Sequence, residues 1–324
     1  MKPKDFLFQR FPLDGRVMVA DEELTTPYHV YDGVMLCMNG TVDGKKAADL
    51  LAQEGLTPLL DTQGRALAAI WICDFVKANL GAHHELQISL FATPVAGAKL
   101  PAHPFAFFGA LANRPDLHMV CHGLWNDTLR VVRYNDEHLR LPARLTRSEI
   151  KKEGELWRFR FADTAGDLIA EGSILHRHGS SIAPAWRIAG QTGLKGMMAL
   201  MRAPAVNIPV VNLRRAGETH NHVCQTYTTY DRAHVRAAGP SDEVTIRHPV
   251  YAPLDFKPAA IQQFDNVGFI FLRPEPLFDD RPPLTRQPAY RNETDWTFLT
   301  IRQASTLAPV ATVHAISDKQ DDRP

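Results

Sequence analysis

The 324-residue sequence has no run of about 18 or more uncharged apolar residues, so it predicts no membrane-spanning helix. It also lacks a basic excess, because 36 Lys and Arg balance 36 Asp and Glu. Proteins that bind nucleic acid neutralise phosphates with a basic surface, so this balance argues against nucleic-acid binding. Residues 1–14 lack the long apolar segment of a signal peptide. We therefore expect a cytoplasmic protein.

Two residue types are scarce. The four cysteines lie far apart and form no Cys-x-x-Cys pair, which predicts reduced thiols rather than a disulfide framework. Lysine is the rarer base, with 11 lysines against 25 arginines. The common catalytic motifs are also missing: the sequence has no Gly-rich nucleotide loop, no Gly-x-Ser-x-Gly and no His-Glu-x-x-His.

Apolar and polar residues alternate along many short segments, which indicates β-strands. Trp157, Phe159 and Phe161 alternate with two arginines and give the clearest example. The predicted strands cover residues 31–41, 65–77, 85–93, 118–125, 157–161, 168–176, 222–230, 244–247 and 267–272.

Fewer segments are predicted to be helical. Residues 43–53 begin at Asp43, a good N-cap, and end before Gly55. Residues 127–139 are a second candidate, although adjacent valines weaken it. Residues 182–201 are apolar and rich in Met, and they predict a helix or a lid. Many strands with few helices predict an α+β, β-rich domain, a barrel or cone with helices packed outside.

Histidine and cysteine form three groups that suggest a metal site. Side chains two residues apart in a strand share a face, so such groups would place several ligands together. His-x-His also arises by chance, so scattered surface and core histidines are the alternative. The groups are His220, His222 and Cys224; His176 and His178; and His118, Cys121 and His122.

A carboxyl group beside two histidines marks the tight connection between two predicted strands. Glu85 follows His83 and His84 there, and it would act as a general acid or base if it faced a closed cavity. A solvated turn is the alternative. Arg144 lies in a basic loop and would bind a carboxylate if it lay at a cavity mouth.

Taken in order, these pieces resemble the acetoacetate decarboxylase-like superfamily. The most specific piece, residues 80–85, resembles the family's Leu-Gly-x-x-x-Glu element. The strand at 32–36, the helix at 44–53, the turn at 55–59, the segment 125–145 and the Asn-Leu-Arg-Arg run at 212–215 follow the family order. The resemblance covers residues 30–275. It implies a cone-shaped β-barrel with an interior pocket and peripheral helices.

The family chemistry implied by this resemblance is a Schiff base between a lysine amine and a β-keto acid. The family's Pro-Lys-Lys-Leu is replaced by Pro-Ala-Arg-Leu, so Ala143 takes the position of the nucleophile and Arg144 that of its neighbour. Arginine stays protonated and forms no imine. Acetoacetate decarboxylation is therefore not expected, unless Lys77 or Lys195 replaces the missing amine.

The sequence thus predicts a lyase-like enzyme that binds a small keto acid or related carboxylate, without a cofactor and without the lysine imine. The alternatives are a non-catalytic binding protein and a His-ligated metal enzyme. The resemblance divides the chain into an N-terminal arm (1–29), one domain (30–275) and a C-terminal extension (276–324). We expect a homo-oligomer. The candidate catalytic residues are Glu85, His84 and Arg144, and the candidate substrate-binding residues are Trp125, Arg214 and Lys77.

Overall fold

The computed structural model of the protein describes residues 3–94, 117–176 and 209–277. Strands dominate these residues, which is the β-rich α+β class predicted from the sequence. The helices are α1 (Pro3–Arg10), α2 (Gly44–Leu51) and α3 (Leu129–Arg133). The strands are β1 (Gly15–Val19), β2 (Glu22–Thr26), β3 (Tyr28–Val42), β4 (Thr57–Pro58), β5 (Ala66–Ala78), β6 (His83–Thr93), β7 (His118–Asn126), β8 (Ala143–Leu145), β9 (Arg147–Glu153), β10 (Leu156–Ala162), β11 (Leu168–Leu175), β12 (Val210–Val211), β13 (His222–Cys224), β14 (Thr226–Thr229), β15 (Arg232–Ala237), β16 (Glu243–Ile246), β17 (Lys257–Asp265), β18 (Gly268–Phe271) and β19 (Glu275–Pro276).

Three sheets contain these strands. The large sheet has the order β14-β18-β3-β5-β6-β7-β12-β13-β19, and β17 also pairs with β3, β15 with β17, β4 with β6, and β8 with β7. The small sheet has the order β16-β11-β10-β9, and β1 and β2 form a hairpin. The long central strands β3, β5 and β6 pair antiparallel along most of their length, so they form the frame of the site.

The local signals around α2 are confirmed. The Asp43 carboxylate accepts a hydrogen bond from the Lys46 backbone N–H at 2.9 Å, which caps one of the free donors at the helix N-terminus. Gly55 has a φ of 68°, in the left-handed region that glycine adopts without strain, and it ends the helical segment. Ala47 and Leu51 are fully buried, so α2 packs its apolar side against the large sheet.

The large sheet has two apolar faces because side chains alternate along each strand. We call one the inner face; it carries Met35, Cys37, Trp71, Cys73 and Phe264, which belong to one buried cluster. The outer face carries the residues between them, and these pack against α2 and against the aromatic side of β10 in the small sheet. The alternation predicted for β10 is therefore confirmed. All four cysteines are free and buried.

Several elements differ from the sequence-based expectation. The predicted strand at 222–230 is two strands, β13 and β14, separated at Gln225. The predicted helix at 127–139 begins at Leu129 and continues after α3 as a π-helical turn over Tyr134–His138. Strand β17 has no counterpart among the predicted strands, because Gln262 and Gln263 are both buried and the segment shows no polar alternation.

The N-terminal residues pack on the large sheet. Helix α1 lies against β14, and the Phe11 ring is 4.4 Å from the Tyr227 ring. Strand β3 begins at Tyr28, so it crosses the predicted boundary between residues 29 and 30; the three-part division stays a prediction. Residues 182–201, predicted as a helix or lid, lie outside the described residues, as do Lys195 and residues 278–324. No helix in the described part of the chain has the length and hydropathy needed to cross a bilayer.

Candidate active site

A cavity of about 30 Å³ opens on the inner face of the large sheet. Its lining combines strands that are far apart in the sheet order, from β14 and β18 at one end to β12 towards the other, so the sheet curves around it. This volume accepts a group of roughly two non-hydrogen atoms. The lining residues are Met35, Trp71, Cys73, Phe75, Glu85, Gln87, Met119, Val210, Thr226, Phe269 and Phe271.

Glu85 is the one acidic group in this described lining, and only 8% of its surface is exposed. It lies in β6, opposite Cys73 of β5 on one side and Asn126 of β7 on the other. Burial raises the pKa of Glu85 to about 7, because an apolar environment disfavours the carboxylate. Near neutral pH, this carboxyl group is therefore present in both protonation states.

Asn126 orients the Glu85 carboxyl group. The Asn126 Nδ2 donates to Glu85 Oε2 at 3.0 Å, and this bond partly offsets the rise in the pKa of Glu85. The Asn126 Oδ1 in turn accepts from Asn135 Nδ2 at 3.0 Å. Both asparagines are buried, so a short chain of buried amides holds the carboxyl group.

A tyrosine–histidine pair lies next to Glu85 on the same face. The Tyr28 hydroxyl and His83 Nε2 are 2.8 Å apart, and His83 Nδ1 is 3.0 Å from the Gly81 carbonyl oxygen. If the His83 ring donates a hydrogen bond from Nδ1 to the Gly81 carbonyl, its Nε2 accepts the hydrogen bond from the Tyr28 hydroxyl. Burial lowers the pKa of His83, so the ring is neutral. Burial and the nearby Glu85 raise the pKa of Tyr28, so the hydroxyl keeps its proton.

His84, predicted as a catalytic partner of Glu85, is not brought to the cavity. Adjacent residues of a strand point to opposite faces, so His84 lies on the outer side of β6. Its Nδ1 is 2.7 Å from Ser148 Oγ and 3.1 Å from Asp127 Oδ2, and its Nε2 is 3.7 Å from Asp74. Lys152 forms an ion pair with Asp74 at 2.5 Å. Since Ser148 belongs to β9, this cluster connects the large and small sheets.

His84→Gln is expected to lower the free energy of unfolding by about 1.5 kcal/mol at pH 5.5 and by much less at pH 9. The hydrogen bond to Asp127 raises the pKa of His84 against the opposing effect of burial. A histidine with a raised folded-state pKa stabilises fully below its unfolded-state pKa, and this contribution is lost as pH rises through the folded-state value. Urea unfolding at both pH values measures the difference, with exposed His220→Gln as the control. Equal losses at pH 5.5 and pH 9 would contradict the assignment.

Arg144 and Trp125 also lie away from the cavity. They are register partners in β8 and β7, and both belong to the outer side. Trp125 packs edge-on against His248 at 5.3 Å, and Arg144 Nη1 lies 3.4 Å from His248 Nε2. The neighbouring Ala143 packs against the inner-face cluster. Because side chains alternate along a strand, Arg144 and Trp125 lie on the opposite face from their inward-facing neighbours Ala143 and Asn126.

The two remaining candidates have structural partners. Lys77 is exposed at the end of β5, with its ammonium group 6.0 Å from the centre of the Tyr31 ring. The Arg214 backbone N–H donates to the Glu54 carboxylate at 2.9 Å, and its guanidinium lies 3.7 Å from the same oxygen. Asn221 donates to this carboxylate as well, at 2.5 Å. Neither Lys77 nor Arg214 lines the described cavity.

The histidine groups do not assemble a metal site within residues 3–94, 117–176 and 209–277. No three His, Cys, Asp or Glu side chains come close enough there to ligate one ion. His122 instead pairs with the Tyr251 hydroxyl at 2.9 Å, and His176 with Asp265 at 2.8 Å. His178 lies outside the described residues.

Sequence reasoning missed the polar residues that surround Glu85. Asn126 follows Trp125 directly in the chain, and only the β6–β7 register makes it the neighbour of Glu85. The sequence-based division places Tyr28 in the N-terminal arm and His83 in the turn. One sequence signal could have revealed His83 as a neighbour of Glu85. His83, Glu85 and Gln87 are spaced two residues apart along β6, so all three lie on one face.

No protein-family model and no curated protein matches this sequence. Solved structures do match it. The crystal structure of acetoacetate decarboxylase from Legionella pneumophila has 11% identity and a TM-score of 0.53, over 79% of this chain and 88% of that one. A second acetoacetate decarboxylase structure has 13% identity and a TM-score of 0.51, over 79% and 91%. The enduracididine biosynthesis enzyme MppR, complexed with pyruvate, has 12% identity and a TM-score of 0.51, over 79% and 92%. The chain therefore has the acetoacetate decarboxylase-like fold.

Proposed function

We propose that the protein is an enzyme that binds a small keto acid with its carbonyl group in the inner-face cavity and moves a proton through Glu85. The observation that carries this proposal is a buried carboxyl group whose pKa is about 7, in an otherwise apolar and amide-lined cavity. A general acid or base works best when its pKa is near the working pH. The solved relative MppR is complexed with pyruvate, which is a ligand of this class.

Proton transfer next to a carbonyl group is the chemistry that these residues fit. Glu85 as carboxylate removes a proton from the carbon beside the carbonyl, and as carboxylic acid it returns a proton to the enolate. Enolisation and dehydration use the removal of this proton, and carbon–carbon cleavage, which forms the enolate by breaking a C–C bond, uses its return. We propose that the reaction does not use a lysine imine, since the described lining contains no lysine and the resemblance aligns Ala143 with the family's nucleophile.

Glu85→Gln is expected to slow this proton transfer at least about 100-fold, because the amide neither accepts nor releases a proton at neutral pH. The assay follows exchange of the C3 protons of 2-oxobutanoate for deuterium in D₂O by proton NMR, with enough protein to exceed background exchange. Wild-type protein that catalyses no exchange, cleavage or dehydration with 2-oxobutanoate, pyruvate or acetoacetate would contradict an enzymatic role.

The matched control is Glu149→Gln, which makes the same change at an exposed position of β9. It should leave the exchange rate unchanged. A Glu85→Gln protein that exchanges at the wild-type rate would remove Glu85 from the chemistry, even if the protein proved to be an enzyme.

A non-catalytic binding protein is the second candidate. The observation that favours it is Ala143, a methyl group packed on the inner face where the family resemblance calls for an amine. A binding protein would be stabilised against thermal unfolding by 2-oxobutanoate or pyruvate and would convert neither. If the ligand stabilises the protein and also exchanges its protons in a reaction that needs Glu85, the result supports an enzyme rather than a binding protein.

We also propose that the large sheet closes into the cone-shaped barrel implied by the resemblance. Strand β14 is at one end of the sheet order, and β13 is next to last at the other end. Only Gln225 separates these two strands in the chain. The two ends of the sheet therefore meet at this residue, with the cavity between them.

A further inference from the structure

Gln87 is the second polar side chain that β6 brings to the cavity. It follows Glu85 by two residues, so the two side chains lie on the same face of the sheet, and both line the cavity. Gln87 lies opposite Trp71 of β5 and Leu124 of β7, and only 5% of its surface is exposed. In the described lining, β6 therefore contributes one carboxyl group and one amide.

In the described part of the chain, one hydrogen bond anchors the Gln87 amide. Gln87 Nε2 donates to Ser89 Oγ at 2.6 Å, and Ser89 is fully buried two residues further along the same face. The amide nitrogen carries two N–H groups, and Ser89 occupies only one of them. A serine hydroxyl also donates, so it can hold the amide by its oxygen instead and leave both N–H groups free. In either orientation, Gln87 keeps an N–H group for a partner in the cavity.

Removal of a proton beside a carbonyl group places negative charge on the carbonyl oxygen. Glu85 takes the proton, the C–H electron pair forms a C=C bond, and the π pair of the carbonyl group moves to its oxygen. In a site that excludes water, this enolate oxygen is stabilised by a fixed hydrogen-bond donor, and side-chain amides serve as such donors. Because Glu85 acts at the carbon, the cavity needs a second polar group at the oxygen.

Gln87 is placed to supply this donor. Alternate residues of a strand are about 7 Å apart, so a carbonyl group and its neighbouring carbon fit between the two side chains. The carbon then lies about 3 Å from a Glu85 oxygen, and the carbonyl oxygen about 3 Å from the Gln87 nitrogen. The Trp71 indole N–H is enclosed by protein, and the Cys73 thiol is a weak donor. Thr226 supplies a hydroxyl to the lining, but from β14 rather than from the strand of Glu85.

We propose that Gln87 donates a hydrogen bond to the carbonyl oxygen of the keto acid and stabilises the enolate that forms when Glu85 removes the proton. This inference rests on the proposed function and adds a second catalytic residue to it. Ser89 is a positioning residue, because it holds the amide without touching the substrate. The hydrogen bond from Gln87 strengthens as charge develops on the oxygen, so it acts mainly in the transition state.

The experiment measures deuterium exchange at C3 of 2-oxobutanoate over a range of substrate concentrations, with the full chain. Gln87→Met keeps the apolar volume and removes the N–H groups, and it should lower kcat about 100-fold, the loss expected for one oxyanion donor. KM should change less than about threefold, because the neutral carbonyl group gains little from this bond. Ser89→Ala keeps the amide but removes its anchor, so kcat should fall about tenfold at unchanged KM.

Gln262→Met is the matched control, since it makes the same change at a fully buried position that does not line the described cavity. It should keep the wild-type kcat and KM. A wild-type kcat in Gln87→Met, a change in its KM alone, or an equal loss in Gln262→Met would overturn the role of Gln87. A loss confined to Thr226→Val would assign the donor to Thr226 instead.

Failure of the proposed function gives a different result. Wild-type protein that catalyses no exchange would overturn the enzymatic role itself, and the role of Gln87 with it. Exchange that needs Glu85 but not Gln87 would overturn only the role of Gln87. If Gln87→Met fails to fold by circular dichroism, Ser89→Ala decides: a fall in kcat at unchanged KM supports the role of the amide, and a wild-type kcat overturns it.

Discussion

Glu85→Gln is expected to raise the free energy of unfolding by about 3 kcal/mol at pH 8 while changing it little at pH 4. Burial raises the pKa of this carboxyl group from 4.5 to about 7. The wild-type protein must therefore bury a carboxylate at pH 8, whereas the variant buries a neutral amide of the same shape. The amide oxygen of the variant side chain still accepts the hydrogen bond that Asn126 donates to Glu85 in the wild type.

The direction of the pH dependence follows from proton binding. Between pH 4.5 and about pH 7 the folded protein holds a proton on Glu85 that the unfolded chain has released. Stability falls with rising pH wherever the native state binds more protons, so Glu85 progressively destabilises the fold across this window. Above pH 7 the full penalty is present. In the proposed function, this cost of Glu85 to the fold is the usual compromise between stability and activity.

Urea unfolding of wild type and variant at pH 4, 6 and 8 measures this effect, and the difference between the two proteins removes the contributions of other titrating groups. Exposed Glu149→Gln should show no such pH-dependent gain. A Glu85→Gln difference that is the same at all three pH values would mean that the carboxyl group is not buried in a low-dielectric cavity.

The features that the sequence predicts well are those set by local physics. Asp43 caps the N-terminus of α2, and the left-handed Gly55 ends the 3₁₀ turn that follows α2, because the orphan backbone groups at helix ends need such residues. Strand β10 follows from alternation alone. Strand β17 cannot be predicted from alternation. Its glutamines are buried because the strand lies between β3 and β15, and the local sequence does not show this position.

The site is harder to predict because it depends on which face each residue occupies. His84 and Glu85, Trp125 and Asn126, and Ala143 and Arg144 are neighbours in sequence and lie on opposite faces of the sheet. Grouping residues by sequence proximity therefore selected one outer-face residue from each pair. The register fixes the face for every strand at once, and it depends on pairings between segments that are up to about 240 residues apart, as for Tyr28 and Phe271.

Ala143→Lys is expected to create a Schiff-base lysine that the wild type lacks. The position packs against the inner-face cluster, and its register partner Leu124 lies opposite Gln87 of the cavity. An amine in this apolar setting has a lowered pKa, so the neutral form is available to attack a carbonyl. Attack on pyruvate expels water and forms a C=N bond, which borohydride reduces to a stable amine. Mass spectrometry should find this adduct on the variant and none on the wild type.

Arg144→Lys is the matched control, because it places an amine one residue further along β8 but on the outer face, beside His248. Exposed lysines are protonated near neutral pH and form few imines, so this variant should stay at the background level. Equal labelling of the two variants would mean that residue 143 does not face the cavity. An adduct in the wild type that maps to Lys77 or Lys195 would show that another lysine has taken over the role, and the imine-free mechanism proposed for Glu85 would then be wrong.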